Sequence, residues 1–366
     1  VVLEADAVPS DDLRASTFHP PTLDMLAPYG VTAALMERGL VCPDWQIRMH
    51  ATGERAVFDM SYLRDDTDYP FRLQCEQAEL VRYLAARFER SGAVSVRFDQ
   101  RVVGLTEHAQ SVSVDIEGEE ECVSARYVVG ADGANSVVRQ SLGLRFEGTT
   151  FPETMVLAST PFDFQARISG LSNVSYGWSA AGNFALLKLR EFWRCSLHYD
   201  DNLSFDEALS EQRVQAQLQD IYPSVQPYTI IDKRPYRVHQ RIVDDYRRGR
   251  MLLAGDSAHL NSPTGGMGMN GGIHDAFALA DALVAVLDGA PDALLDRYTR
   301  QRRPVAEQEI LAQAARNRQR MKEMDPAKRA TMLRDLQAIA DDRDRAREHL
   351  LRSSMITGLR AAAQVQ

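Results

Sequence analysis

The stretch from Gly249 to Leu287 constrains the fold more than any other part of the chain. "GRMLLAGD" reads as a buried strand that stops at Gly255-Asp256, "SAHLNSPTGG" is irregular, and "GIHDAFALADALVAVL" has the length and apolar content of a core helix. A buried strand feeding an irregular turn and then a helix is the repeating unit of an α/β fold. Inside the stretch, Gly266-Met267-Gly268-Met269-Asn270-Gly271 spells G-x-G-x-x-G. A dinucleotide fingerprint needs a strand directly before its first glycine, and an acidic residue roughly 20 positions on, at the end of the next strand. Here the strand ends about ten residues too early and no second strand follows closely. The spelling is present; the context is not.

The stretch still has a physical reading. Asp256 stands at the carboxyl end of a strand, and the glycines after it let backbone approach a flat ligand. The chain enters its helix at about Gly271, where unpaired N–H groups and the helix dipole favour negative charge. A carboxylate for sugar-chain hydroxyls beside a positive helix end suits a ribityl-linked ring that is anionic when reduced, which is a flavin. A second signal lies in "YVVGADGANSVVRQSLG", residues 127–143. An apolar strand runs into Gly130-Ala131-Asp132-Gly133, and Ser136 is placed to cap the next helix. Its aspartate can face a pyrophosphate.

Elsewhere, Val1-Val2-Leu3 reads as a strand end closed by Glu4, and residues 76–91 as an amphipathic helix with Leu80, Leu84 and Phe88 on one face. Residues 94–130 and 153–200 are β-rich, and Ser204 with Glu207 forms a capping box. Helices are expected over 272–288, 292–320 and 326–366. A net charge of −9 disfavours nucleic acid or an anionic membrane as partner. No apolar run near 18 residues stands out as a membrane span. The four cysteines are scattered without C-x-x-C, which suits a reduced, cytoplasmic setting and gives no metal site.

With both aspartate motifs in view, the chain resembles the para-hydroxybenzoate hydroxylase-type FAD-dependent monooxygenases, the single-component aromatic hydroxylases. The likeness rests on "GADGANSVVR" and "LLAGDSAHLNSPTGGMGMNGGIHDA", about 120 residues apart, with "RASTFHPPTLDML", "RLQCEQAEL" and "LLDRYTRQRRP" as further matches. It covers roughly residues 1–310. The resemblance implies that Glu4 accepts the adenosine ribose hydroxyls, and that Arg14 and Gln74 contact the pyrophosphate and ribityl region. Asp132 and Gly133 would lie near the pyrophosphate. Gly255 and Asp256 would bind the ribityl chain, and Gly266, Gly268, Met269 and Asn270 would line the isoalloxazine. Pro263 would sit at the reactive edge of the ring, and His259 is the candidate proton-handling group. Tyr176, Trp178, Phe184 and Trp193 are the candidate walls of the substrate cavity.

The implied protein is α/β: a Rossmann-like FAD-binding domain (1–150 and 246–310) interrupted by a mixed β-sheet substrate domain (151–245), with C-terminal helices (311–366). It would be a monomer or homodimer. NADPH or NADH would reduce FAD, and O₂ would then hydroxylate a small phenol-like aromatic through a flavin C4a-hydroperoxide. Flavin-dependent halogenases share the scaffold but add W-x-W-x-x-P, and Trp45, Trp178 and Trp193 are never two apart. A non-catalytic relic is the remaining alternative, because the family's glycine-rich βα unit would precede Glu4 by about 20 residues. The expectation is that this unit is encoded upstream, and that without it FAD is held poorly.

Overall fold

The structure, a computed structural model, describes residues 1–10, 15–180, 182–199, 203–261 and 265–365. Its strands begin with β1 (Val2–Leu3), β2 (Thr17–Phe18), β3 (Leu40–Cys42), β4 (Asp44–Met49), β5 (Arg55–Asp59), β6 (Arg72–Gln74) and β7 (Val96–Arg97). A meander of β8 (Val102–Glu107), β9 (Val112–Ile116) and β10 (Val123–Ala125) precedes β11 (Val128–Gly130). Then come β12 (Glu147–Thr160), β13 (Val174–Ser179), β14 (Gly182–Lys188), β15 (Trp193–Tyr199) and β16 (Asp232–Ile242). The last are β17 (Arg247–Arg248), β18 (Met251–Leu253) and β19 (His259–Leu260).

The helices are α1 (Pro20–Leu26), α2 (Val31–Arg38), α3 (Gln77–Ser91), α4 (Val137–Ser141), α5 (Phe205–Ala208) and α6 (Glu211–Ile221). They continue with α7 (Met267–Leu287), α8 (Leu294–Val305), α9 (Ala312–Lys322), α10 (Pro326–Ala340), α11 (Arg343–Ser353) and α12 (Ile356–Ala363). Local chemistry sets several ends. Gly92 closes α3 at φ +63°, Ser136 accepts the Arg139 N–H at the start of α4, and Ser204 and Glu207 make the reciprocal capping box of α5.

Two small parallel pairs form the α/β part: β1 with β7, and β11 with β18, the latter extended by β17. Among the described residues, β1 and β11 each keep one unpaired edge. The larger sheet has the order β19-β16-β12-β15-β14-β13-β4-β5 and is antiparallel except where β13 runs parallel to β4. It therefore extends past the expected 151–245 and draws in residues 44–59. Trp45 and Ile47 supply apolar side chains that are buried in this sheet's packing.

The sheet has two covered faces. Phe184, Trp193, Cys195 and Leu197 pack with Val214 and Leu218 of α6 on one. Trp45, Ile47 and Trp178 pack with Leu333 and Leu336 of α10 and Leu350 of α11 on the other. The C-terminal helices thus close over the sheet. They do not form a separate appendage.

Helix α7 begins at Met267, four residues before the expected start, because Gly266 at φ +68° turns the chain into it. By length and composition α7 is apolar enough to cross a membrane, which corrects the sequence reading. It carries buried His274 and Asp275, however, and packs on α8 and on the turn at Gly255.

Candidate active site

Pairing of β11 with β18 sets Gly130 opposite Leu253, so the two aspartate turns leave the carboxyl ends of neighbouring parallel strands. Ala254 N–H donates to the Gly130 carbonyl at 3.0 Å, and Ser257 Oγ donates to the same oxygen at 2.5 Å. Arg139 ties the turns again, Nη1 donating to Ser257 O (3.1 Å) and Nη2 to Ala134 O (2.7 Å). Asp132 and Asp256 are both exposed at this edge. Asp132 Oδ2 also accepts the Val138 N–H at 3.2 Å. Glu4 is exposed just past the end of β1, where it accepts the Asp6 N–H. Gly133 takes φ +74°, and Gly255 takes φ +64° with its Cα against Gly272 of α7. A Cβ at Gly272 would sit 3.2 Å from the Gly255 Cα, a tight fit, and a side chain at Gly255 would be strained by its positive φ.

Behind that turn lies a buried ionic network. Arg302 Nε donates to Asp275 Oδ1 at 2.7 Å, while Asp275 Oδ2 accepts the Gly255 N–H at 3.1 Å and lies 2.8 Å from His259 Nε2. Burial alone would raise the Asp275 carboxyl, but Arg302 and His259 hold it down to about 2. His259 is 1% exposed and engaged by Asp275. It positions the turn through the aspartate and is not among the residues lining the cavity.

Asn270 is likewise internal. Its Oδ1 accepts from His19 N–H (2.9 Å) and Thr22 Oγ1 (2.7 Å), and its Nδ2 donates to Thr17 O (2.8 Å) and Gly266 O (2.6 Å). With four protein partners the amide staples α1 to the start of α7. Gln74 is fully buried and exchanges bonds at 3.0 and 3.1 Å with Oγ1 of Thr17, the residue that lies against Gly266. Gly268 faces Asn261, and Met269 packs against the cluster around Phe18 and Leu23. Arg14 and Pro263 lie outside the described residues.

A cavity opens between this region and the sheet. Its walls are Trp45 and Ile47 of β4, Arg72 of β6, Tyr176 of β13, and Gly265 and Met267. Gln313, Asn317, Arg320 and Met321 of α9 and His349 and Ser353 of α11 complete it. Tyr176 stands edge-on to Trp45, with centroids 6.1 Å apart and planes at 84°. Trp178 lies behind the wall, where its Nε1 donates to the Arg320 carbonyl at 3.2 Å.

Phe184 and Trp193 do not line this cavity. They point to the opposite face, and a Cβ on Gly177 would sit 2.3 Å from the Phe184 ring that covers it. Sequence reasoning missed Trp45, Arg72, Asn317, Arg320 and His349. One signal was available: Gln313, Asn317 and Arg320 recur at helical spacing, a polar stripe on one face. A π-helical segment, Ala306–Leu311, immediately precedes α9. Such segments often accompany functional sites. Burial, with Asp256 nearby, pushes the Tyr236 hydroxyl up to about 12.

The arrangement fits FAD. Exposed carboxylates stand at strand ends, and α7 opens with no side-chain cap and no acidic residue in its first turn. The turn before it, Gly265-Gly266, presents no Cβ. Comparison with known proteins agrees. Residues 1–313 match the family described as FAD binding domain. The chain is 33% identical over 355 residues to 6-hydroxy-3-succinoylpyridine 3-monooxygenase HspB of Pseudomonas putida, covering 96% of this chain and 90% of that protein. It is 32% identical over 367 residues to para-nitrophenol 4-monooxygenase of a Pseudomonas species, covering 98% and 90%. The crystal structure of p-nitrophenol 4-monooxygenase PnpA from Pseudomonas putida superposes with a TM-score of 0.90 at 32% identity, covering 98% of this chain and 91% of that one. The chain belongs to the FAD-dependent aromatic hydroxylase family. The fold alone does not fix the chemistry, since the Diels-Alderase PyrE3 shares it at a TM-score of 0.80 and 22% identity.

Proposed function

We propose that this protein hydroxylates a small phenol-like aromatic, with FAD as cofactor, NADPH or NADH as reductant and O₂ as oxygen source. The observation that carries the reading is the cavity between Gly265-Met267 and the sheet, walled by Trp45 and Tyr176. FAD, when bound, supplies the activation of dioxygen that delivers one oxygen atom to the ring.

The rest is the work of the chain. Asp256 and Glu4 hold sugar hydroxyls at the strand ends, and Asp132 and Gly133 face the pyrophosphate. The start of α7 would favour negative charge on a bound flavin, an effect on the order of 1 kcal/mol. Trp45 and Tyr176 orient a flat ring, and the helices over the sheet exclude water, which strengthens every charge interaction inside. Residues 1–150 and 246–310 carry the cofactor, while the sheet with α9 and α11 carries the substrate.

The test is direct. Protein purified with FAD should show a bound-flavin spectrum, and NAD(P)H oxidation should rise on adding a phenol, with a hydroxylated product by mass spectrometry. Bound flavin with no product from any member of a broad phenol panel would refute the assignment.

A further inference from the structure

Arg48 is a buried cation on the sheet face that looks away from the cavity. Ile47 of β4 lines the cavity, so the next residue points to the other side of the strand. There Phe184 covers Gly177, the residue of β13 paired with Arg48. Arg48 is 3% exposed, and its Nε and Nη1 have no hydrogen-bond partner. Arg55 of β5 stands directly opposite on the same face. Its guanidinium lies over Gly170, where a Cβ would sit 2.5 Å from Cζ, and its Nη1 donates to the Gly53 carbonyl at 3.4 Å.

Like charges directly opposite on paired strands are destabilising, and a buried cation without a counter-charge is unfavourable. Nothing of opposite sign offsets this pair. Burial and then Arg55 lower the Arg48 guanidinium from its ordinary value, and no carboxylate raises it. His50, on the same strand face, is lowered by burial and by Arg48, so it is neutral at pH 7 and adds no charge. Its Nε2 donates to the Ile221 carbonyl at the end of α6, at 2.6 Å. Glu54, the acid of the turn between β4 and β5, is engaged by Thr52 Oγ1 at 2.9 Å. The rim beside the two cations is glycine. Gly53 takes φ +75° and Gly170 takes φ +66°, and even a Cβ on Gly53 would lie 3.8 Å from Arg48 Nη2. Backbone alone stands there, and an anion can approach the guanidinium from that side.

We propose that Arg48 and Arg55 bind a small oxyanion, a phosphate or a carboxylate, at the turn between β4 and β5, in a site separate from the cavity. A guanidinium presents parallel N–H groups to two oxygens of either anion, and two guanidiniums on one sheet face can share one oxyanion between them. The anion supplies the missing counter-charge and ties the hairpin to the segment at Gly170. Trp45 and Ile47 of the same hairpin form the cavity wall on the reverse face. The inference stands independently of the reaction proposed above.

The experiment titrates inorganic phosphate and acetate separately into the FAD-loaded protein by isothermal calorimetry, with ionic strength fixed by potassium chloride. Saturable binding at one site per chain is expected. Phosphate binding alone identifies phosphate as the source, and acetate binding alone identifies a carboxylate. Arg48→Met should weaken that binding about tenfold to hundredfold, the range for a lost charge-assisted hydrogen bond. Arg48→Lys should keep part of the affinity. Arg55 is exposed, so Arg55→Met should fold normally and weaken binding as well, which keeps the test open if Arg48→Met does not fold. Melting gives a second readout. Without phosphate or acetate, Arg48→Met should melt above the parent, because an unpaired buried cation is gone, and the anion that binds should raise the parent alone. Glu54→Gln should leave the affinity unchanged. No saturable binding of either anion overturns the proposal, and so does binding that survives unchanged in both Met variants, which would place the anion elsewhere. Tighter binding in Glu54→Gln also overturns it, by showing that Glu54 supplies the counter-charge in solution.

Discussion

Single side chains at this site divide into those that face outward and those spent on holding the backbone. Asp256 is exposed at its strand end, whereas Asn270 spends its whole amide on internal partners. Both stand in one short sequence stretch, and residue type alone does not separate them, because burial is a property of the partners that arrive. Asp256→Ala should weaken FAD binding about tenfold to hundredfold, the cost of one charge-assisted hydrogen bond. Asp115→Ala, an exposed position in β9, is the control and should leave flavin content unchanged. Equal flavin retention in the two purified variants would remove the ribityl role from Asp256. His259 makes the same point from the other side. A histidine beside an aspartate turn looks catalytic in sequence, but Asp275, sixteen positions away, turns it into a brace.

Elements are joined at the site by histidines buried in neutral form. His19 N–H begins α1 through Asn270, and His19 Nε2 lies 2.8 Å from the Gly265 carbonyl. His274 of α7 contacts Thr22 of α1 at 2.8 Å. Burial is the largest cause lowering His19 and His274 to about 3 and His349 of α11 to about 4, from 6.5. Below pH 6.5 the unfolded chain therefore takes up protons that the folded chain refuses, and stability falls as pH falls. Each such histidine contributes about 1.4 kcal/mol per pH unit once the unfolded form is protonated, so three approach about 4 kcal/mol per unit. Between pH 6.5 and 5 Asp275 stays ionised in both states and adds nothing, because its folded pKa is about 2 against 3.8 unfolded. Urea unfolding across that window should lose stability with decreasing pH, and His274→Gln should reduce the slope by one histidine's share. A flat profile would mean that these imidazoles are solvated or already charged. Legibility at this scale was uneven. Periodicity and capping residues placed α3 and α5 correctly. The pairing of β4 with β13 joins Gln46 to Ser175, and no local pattern encodes a partner so distant.

At the scale of the whole molecule, the α/β order was legible because apolar runs ending in Gly-Asp or Asp-Gly can only be buried strands meeting a polar edge. Which face of the large sheet meets the cavity was not legible. Alternation in β14 and β15 separates Phe184, Trp193 and Cys195 from their neighbours, but only the arrival of α6 on one side and of α9 to α11 on the other decides which set is core. The C-terminal helices were read as a separate segment because their contacts lie nearly three hundred residues upstream, as in Gln337 Nε2 donating to the Arg55 carbonyl. The same long-range logic identifies the weak place in the fold. Among the described residues the parallel pairs β1–β7 and β11–β18 are not joined to each other, and Val2 and Val129, on the strands that keep an unpaired edge, are 45% and 42% exposed. Unpaired N–H and C=O groups beside exposed valines are a template for another strand. The 366-residue chain should therefore associate with rising concentration, seen as growth in light-scattering mass, and more so without FAD. Lysine at these two positions adds edge charge and should keep the chain monodisperse. Val2→Lys with Val129→Lys tests this without touching the cavity. If the parent chain is already monodisperse across the range, or if the double variant associates equally, the open edges are not the source of association.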